Sequence, residues 1–242
     1  MIGSHLWYWV KMSKYNKHKM PIRRYPIVTG EVYHVYNRSV ARQPIFDKNY
    51  GPARFIELID FYRFVENTMR YSYFAKLSRK LQSKYLNHLY VSKEQVKILA
   101  FCLMPNHFHL LLRQTVDGGI NRFISNVQNG YAKYINTKTK RDGSLFQSPF
   151  KSVLIESQEQ LLHVSRYIHL NPLTSYVLKD ASELESYPWA SYVDFVSKNS
   201  RIFVDEEILL GYFKNRRSLK RFTMDRLDYQ RNLELVKHLV FE

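Results

Sequence analysis

Alternating hydrophobic and polar positions predict four β-strands along the chain. Residues 31–38 alternate and are rich in Val and Tyr, a pattern typical of a half-buried strand. Two apolar runs, 96–103 and 109–112, lie on either side of Pro105-Asn106, a dipeptide that favours a turn. These runs therefore predict a tight hairpin. A fourth strand is predicted over residues 150–156.

Apolar residues at helical spacing predict one helix after the first strand and another after the hairpin. The first is expected to run from an Asp47 N-cap to about Thr68, with an apolar stripe at Phe55, Leu58, Ile59 and Tyr62. The second follows Gly118-Gly119, and its stripe consists of Ile120, Phe123, Ile124, Val127, Tyr131, Tyr134 and Ile135. Tyr131 and Tyr134 are therefore interpreted as core residues.

A third helix is predicted after the fourth strand. Ser157 and Gln160 fit a capping box, in which the two side chains satisfy backbone N–H groups at the start of a helix. The helix is expected to end near Asn171, because a proline such as Pro172 disfavours helical geometry in the residue before it.

The predicted elements follow the order strand, helix, strand, strand, helix, strand and a further helix. This order is that of an α+β ferredoxin-like sandwich, with a central antiparallel sheet and an added C-terminal helix. The domain is expected to span residues 26–198, with the basic, tyrosine-rich helical stretch 69–95 as an insertion. A basic arm precedes it over 1–25, and a basic helical extension follows over 199–242.

Composition adds a polyanionic partner to this picture. The formal net charge is +16 and 15% of the residues are aromatic, a combination suited to single-stranded nucleic acid. The single cysteine, Cys102, excludes a disulfide framework and a zinc site built from cysteines, and it is consistent with the cytoplasm. We expect no membrane span, no membrane partner and no small organic cofactor.

Two histidines at the start of the second hairpin strand are the first candidate for chemistry. Side chains two apart on a strand share a face, so His107 and His109 are expected to project together while Phe108 packs behind them. Two imidazoles on one face can hold a metal ion. The alternative is a pair of histidines in a strand with no ligand role.

The third helix supplies a candidate nucleophile. His163, Tyr167 and Asn171 are spaced i, i+4, i+8, so they form one polar row, away from the apolar residues Leu161, Val164 and Ile168. On this reading Tyr167 attacks a substrate and the amide oxygen of Asn171 serves as a third metal ligand. His169 is off this row and is interpreted as a packing or DNA-facing residue.

Five motifs in sequence resemble a known family. His107-Phe108-His109 resembles the histidine-hydrophobic-histidine (HUH) motif of single-strand DNA endonucleases, and residues 166–172, RYIHLNP, resemble the catalytic-tyrosine helix of the REP-associated tyrosine transposases, which are IS200-like. Further segments similar to that family are 33–38, 143–151 and 187–192. The resemblance covers roughly residues 27–195 in the expected order.

The resemblance implies an activity and a cofactor. Mg²⁺ or Mn²⁺ would bind His107, His109 and Asn171, while Tyr167 would attack the scissile phosphate and leave a 5′-phosphotyrosine link and a free 3′-OH. The substrate would be single-stranded DNA bearing a hairpin. Oligomeric state is open between a monomer and a homodimer.

Five basic residues are candidate phosphate contacts: Arg38, Lys138, Lys140, Arg141 and Lys151. His34, on the first strand, is interpreted as a structural histidine, with a supporting role beside the metal or direct ligation as the alternatives. Two rival functions stay open. One is a DNA- or RNA-binding protein that keeps the fold without cleavage, and the other is a metal-dependent phosphodiesterase that uses water.

Overall fold

The computed structural model describes residues 26–47, 51–197, 200–225 and 227. The predicted basic arm over 1–25 lies outside the described residues, as does most of the chain beyond Asp225.

Four antiparallel strands form a single sheet among the described residues. They are β1 (Val32–Arg38), β2 (Val96–Met104), β3 (His107–Gln114) and β4 (Lys151–Leu154). Their spatial order is β2-β3-β1-β4, and β2 and β3 are joined by the predicted two-residue turn. This topology confirms the ferredoxin-like α+β fold and all four predicted strands.

The helices divide between the two faces of the sheet. On one face, α1 (Ala53–Tyr62) packs against the long helix α4 (Gly119–Thr139). On the other face, α5 (Gln158–Thr174) packs on β2 and β3. The pleat of β3 separates these faces, since Phe108 contacts Phe55 of α1 whereas His109 contacts Tyr167 of α5.

The first helix is shorter at both ends than its sequence pattern predicts. Its apolar stripe is buried as expected, but it starts after Pro52, and Asp47 does not cap it. It ends at Tyr62 because the following residues pair with the segment before β2: Val65 N–H donates to the Lys93 carbonyl and Gln95 N–H to the Arg63 carbonyl. The prediction that it reaches Thr68 is therefore wrong.

Helix α5 begins as predicted and continues past its expected end. Ser157 Oγ accepts a hydrogen bond from Gln160 N–H, whereas Gln160 Oε1 accepts from the N–H of Glu156, one residue before the cap. The helix runs through Pro172 to Thr174. Leu170 and Leu173 bury themselves in a separate apolar cluster with Leu184 and Tyr192, and this packing outweighs the backbone hydrogen bond that proline removes.

The predicted insertion over 69–95 contains two helices, α2 (Tyr71–Phe74) and α3 (Arg79–Tyr90), packed on α1 through aromatic contacts among Phe61, Phe74 and Tyr85. After α5 come a 3₁₀ helix (Ala181–Ser186), α6 (Tyr192–Val196), α7 (Glu207–Leu210) and α8 (Arg216–Met224). Helix α8 packs on α5 and α6. No helix in the described part of the chain has the length and apolarity needed to cross a membrane.

The outer edge of β2 is covered by residues 187–192. Leu103 N–H donates to the carbonyl of Trp189, and Ser191 N–H donates to the carbonyl of Phe101. Cys102 lies between these bonds and is fully buried. The segment therefore satisfies backbone groups that an exposed edge strand would leave unpaired.

Candidate active site

The two histidines of β3 share one face, as their spacing predicts. The ring centroids of His107 and His109 are 5.0 Å apart and the rings are nearly perpendicular. His109 is buried, whereas His107 is partly exposed at the start of the strand. Because β3 is hydrogen-bonded on both sides, by β1 and β2, the backbone that carries this pair is held by the sheet.

Helix α5 brings Tyr167 and Asn171 to the same face. The Tyr167 ring lies edge-on to His109, with 5.4 Å between centroids, and Asn171 is buried one turn later on the same side of the helix. The predicted polar row is therefore present over these two residues. His163, the third residue of the predicted row, is exposed. Its Nε2 lies 3.7 Å from Glu159 Oε1, and its ring contacts Phe222.

A cleft of about 590 Å³ lies between the sheet and α5, and its lining includes His107, His109, Tyr167 and Asn171. Its walls carry the basic side chains of Arg38, Arg42 and Lys151, and no Asp or Glu lies among the described residues that line it. A cleft with cationic walls and no carboxylate favours an anionic ligand such as a phosphodiester. Arg38 and Lys151, two of the five residues predicted to contact phosphate, therefore line the cleft.

Burial keeps the histidines of the cleft neutral. It lowers the pKa of His107 to about 4, with a smaller contribution from the positive charge of Arg38. Burial also holds the pKa of His109 well below its usual range, and His107, His34 and Arg38 add to that effect. An imidazole binds a metal through an unprotonated nitrogen, so a neutral pair suits ligation.

Unpartnered buried atoms mark where an ion would fit. Among the described residues, His109 Nε2 and Asn171 Nδ2 are buried without a hydrogen-bond partner. Asn171 Oδ1 accepts a long bond of 3.4 Å from Ser175 Oγ, and exchange of the amide ends would let nitrogen donate there and place oxygen at the unpartnered position. Two imidazoles and one amide oxygen would then face the cleft.

This donor set is small. No group of three His, Cys, Asp or Glu side chains within the described ranges is arranged to hold a metal. An ion at His107, His109 and Asn171 would therefore keep coordination positions for oxygen atoms of water or substrate, as catalytic sites do.

The sequence around the cleft matches a known family model. Residues 61–171, which include both histidines, Tyr167 and Asn171, match the family model described as "Transposase IS200 like". This region is therefore similar in sequence to IS200-like transposases. The resemblance identified from the motifs is thereby confirmed. No curated protein matches the chain by sequence.

A solved structure has the same fold as the IS200-like region and its surroundings. It is that of the REP-associated tyrosine transposase bound to a REP hairpin, with 14% sequence identity and a TM-score of 0.50. The similarity covers 76% of this chain and 90% of that one. The IS200-like match also runs through helices α2 and α3, which the sequence pattern alone suggested were an insertion.

Strand β1 places His34 and Tyr36 against the predicted ligand His109. His34 Nε2 is 2.9 Å from His109 Nδ1, so one imidazole donates to the other. Tyr36 stacks on His109 at 5.8 Å, and Lys151 Nζ lies 5.9 Å from the Tyr36 ring centre. His34 therefore contacts a predicted ligand. The pairing of β1 with β3 brings His34 and Tyr36 to His109, and the pairing of β1 with β4 brings Lys151 to Tyr36.

The turn between β2 and β3 contributes Asn106, which the sequence analysis treated only as a turn residue. Its Oδ1 lies 2.7 Å from His107 Nδ1, and its Nδ2 donates to the carbonyl of Arg42 at 3.0 Å. Arg42 also lines the cleft and has φ of 53°, in the left-handed region. The sequence feature that could have indicated this contact is an asparagine in a turn, followed directly by a histidine.

Three predicted phosphate contacts lie apart from the cleft of the IS200-like region. Lys138 is in the last turn of α4, and Lys140 and Arg141 follow it and line a separate shallow depression with Lys133. Lys138 also lies over the ring of Tyr134. These residues form a second basic surface, which we call the α4 basic patch.

Proposed function

We propose that this protein is a single-strand DNA transposase or nickase that cuts and rejoins DNA near hairpins, with Tyr167 as nucleophile. The observation that carries the proposal is the position of Tyr167: it lies beside His109 and lines, together with His107, a cleft with cationic walls and no described carboxylate. The match of residues 61–171 to IS200-like transposases supports the same reaction class.

In this proposal, some side chains of the cleft bind the DNA phosphates and others bind the metal ion. Arg38 and Lys151 are suited to hold the phosphates that flank the cut, because they are the charged groups on the β1 and β4 side of the cleft. His107, His109 and Asn171 would hold Mg²⁺ or Mn²⁺, and the bound cation would polarise the scissile phosphate. Imidazole ligands make Mn²⁺ as suitable as Mg²⁺.

The covalent step transfers a phosphate to the tyrosine. The phenol of Tyr167 loses its proton and its oxygen forms a bond to phosphorus, while the bond from phosphorus to the 3′ oxygen breaks. The departing oxygen gains a proton and becomes a free 3′-OH, and the DNA stays attached as a 5′-phosphotyrosine. Attack by another 3′-OH reverses the step and joins a new end.

Hairpin DNA is the substrate that we propose for this reaction. The related REP-associated tyrosine transposase has been solved with a REP hairpin bound. The α4 basic patch and the excess positive charge of the chain provide additional surface for the phosphates of a folded strand.

A covalent-adduct assay tests this function. The full-length protein is incubated with labelled hairpin-bearing single strands and Mn²⁺ or Mg²⁺, and the products are separated on a denaturing gel. We expect a metal-dependent protein–DNA band that is lost in Tyr167→Phe and in His107→Ala. Tyr134→Phe and His163→Ala are matched controls, since neither side chain lines the cleft, and both should retain the band.

Two results would contradict the proposal. Cleavage that survives Tyr167→Phe would indicate a phosphodiesterase that uses water. Tight binding to a broad set of hairpin DNAs with no adduct and no cleavage would indicate a DNA-binding protein that does not cut.

A further inference from the structure

We infer that Asn106 is a positioning residue that holds His107 in one tautomer, with the hydrogen on Nδ1 and the lone pair on Nε2. The inference rests on the proposed function only for its consequence in metal binding. The tautomer itself follows from hydrogen-bond geometry in the turn between β2 and β3.

The orientation of the Asn106 amide is fixed by the Arg42 carbonyl. A carboxamide has one donor end, NH₂, and one acceptor end, the oxygen. The Arg42 carbonyl can only accept, so the nitrogen of Asn106 must face it, at 3.0 Å. This contact removes the ambiguity between nitrogen and oxygen that an isolated asparagine side chain carries.

The orientation of the amide then decides the state of His107. The oxygen of Asn106 faces His107 Nδ1 at 2.7 Å, and an amide oxygen only accepts, so Nδ1 carries the hydrogen. In a neutral imidazole the other nitrogen, Nε2, is then unprotonated and able to bind a metal. Free histidine prefers the opposite tautomer, with the hydrogen on Nε2, so the asparagine works against the intrinsic preference.

The backbone around Asn106 holds this arrangement independently of its side chain. Ser39 N–H donates to the Asn106 carbonyl at 2.8 Å, and Ile45 and Phe46 N–H both donate to the Pro105 carbonyl. The Arg42 carbonyl is presented by consecutive left-handed residues, Ala41 and Arg42, in a 3₁₀ turn. A side-chain substitution at Asn106 therefore leaves the bonds that fix the turn in place.

The left-handed backbone of Ala41 and Arg42 serves to orient the Asn106 amide. Left-handed backbone at a residue other than glycine is unfavourable and persists where surrounding contacts hold it. Here it places the Arg42 carbonyl against the Asn106 amide, and through that amide it sets which nitrogen of His107 is available. Metal-binding histidines are commonly oriented by such a hydrogen bond to their other nitrogen.

Nitrogen NMR on the intact protein tests the tautomer directly. Full-length protein with ¹⁵N-labelled histidine, free of metal and DNA, is recorded in long-range ¹H–¹⁵N spectra, with His107 assigned by its loss in His107→Gln. We expect a protonated Nδ1 and an unprotonated Nε2 at His107. Asn106→Ala should move the ring toward the Nε2–H tautomer. Asn106→Asp loses the bond to the Arg42 carbonyl, but its carboxylate still accepts from Nδ1 and should preserve Nδ1–H.

Metal affinity provides the second measurement, without any dependence on cleavage. Free Mn²⁺ is followed by electron paramagnetic resonance during titration of each variant. Asn106→Ala should weaken Mn²⁺ binding by about 10- to 100-fold, the usual effect of losing a group that orients a ligand. The exposed Asn126 of α4 gives a matched control, Asn126→Ala, that should change neither measurement.

Each outcome bears on the inference separately from the proposed function. A hydrogen on Nε2 of His107 in the wild type, or an Asn106→Ala variant with unchanged tautomer and unchanged Mn²⁺ affinity, would overturn it. Absence of a covalent DNA adduct in a protein that has the expected tautomer would contradict the proposed function and leave the role of Asn106 standing.

Discussion

Arg38 differs from the other basic residues because its guanidinium both lines the cleft and acts on a predicted metal ligand. It lines the cleft, and its positive charge contributes to lowering the pKa of His107. A guanidinium in that position is suited to a phosphate oxygen next to the predicted metal ligands. Lys140, in the α4 basic patch, is also positively charged but does not line the cleft.

This contrast gives a prediction at the scale of a residue. Arg38→Ala should reduce covalent-adduct formation by at least about tenfold, because a hydrogen bond to a charged group contributes about 1.5–3 kcal/mol. Lys140→Ala should leave adduct formation at saturating DNA within about twofold. If Lys140 contacts a phosphate, Lys140→Ala should also reduce the slope of log K for single-strand binding against log salt concentration by about 0.7. Gel quantification and binding titrations at several salt concentrations measure both, and equal loss of adduct in the two variants would argue against this division.

Sequence spacing predicted which residues of the site share a face of one element. His34 was interpreted as a structural histidine, with a supporting role beside the metal as one alternative, and the contact of Tyr36 with His109 was not predicted. The i, i+2 spacing of His107 and His109 and the i, i+4 spacing of Tyr167 and Asn171 each fix a shared face. The contacts of His34 and Tyr36 with His109 depend on the register of β1 against β3, in which Tyr36 pairs with His109. No local pattern encodes that register.

At the scale of an element, the start of α4 is the most tightly constrained point. Gly118 caps the helix with φ of 69°, which favours glycine, and a Cβ added at Gly119 would overlap the carbonyl oxygen of Gln95. That carbonyl belongs to backbone held beside β2 and has no flexible end that can move away. Glycine at 119 therefore allows α4 to start close to the sheet.

Gly119→Ala should consequently lower the free energy of unfolding by about 1–3 kcal/mol, the usual cost of overpacking. Gly130→Ala, in the middle of the same helix, is the control. Its Cβ would meet the flexible Leu58 side chain at 3.2 Å, and alanine gains about 1 kcal/mol of helix propensity. Urea unfolding of both variants checks the comparison. An equal loss in the two would show that the Gln95 contact is not the cause.

Periodicity predicted which elements exist, and tertiary contacts decided where they end. The apolar stripe of α1 is as expected, yet the helix stops at Tyr62 because the next residues pair with the segment before β2. Conversely, α5 passes through Pro172 because Leu170 and Leu173 have a separate cluster to fill. Both boundaries depend on segments that are distant along the chain.

At the scale of the whole molecule, four histidines in the described part of the chain share one electrostatic property. Burial lowers the pKa of His34 and His107 to about 4 and that of His169 to about 3, and it holds the pKa of His109 well below its usual range. His169 lies away from the cleft and bonds Ser191 Oγ at 3.0 Å, so its role is packing, one of the two predicted for it. Each is neutral in the folded protein at mildly acidic pH.

The stability of the metal-free protein should therefore fall as the pH falls below about 6.5. An unfolded histidine takes up a proton near that pH whereas the buried one does not, so unfolding binds protons and the free energy of unfolding decreases. Between about pH 7.5 and 5.5 we expect a loss of about 1 kcal/mol for each of these histidines. Urea unfolding in the presence of EDTA measures it. His169→Gln should remove about a quarter of the slope, and a pH-independent stability would refute the prediction.

The buried thiol of Cys102 has a practical consequence for testing the proposed binding of DNA. It is the one cysteine of the sequence, it is fully buried in β2, whose outer edge residues 187–192 cover, and burial raises its pKa. A thiolate is the reactive form, so the native chain offers maleimide dyes almost no target. A cysteine introduced at the exposed rim position Tyr176 would take a single fluorophore, and strand entry into the cleft could be watched in real time without altering any other residue.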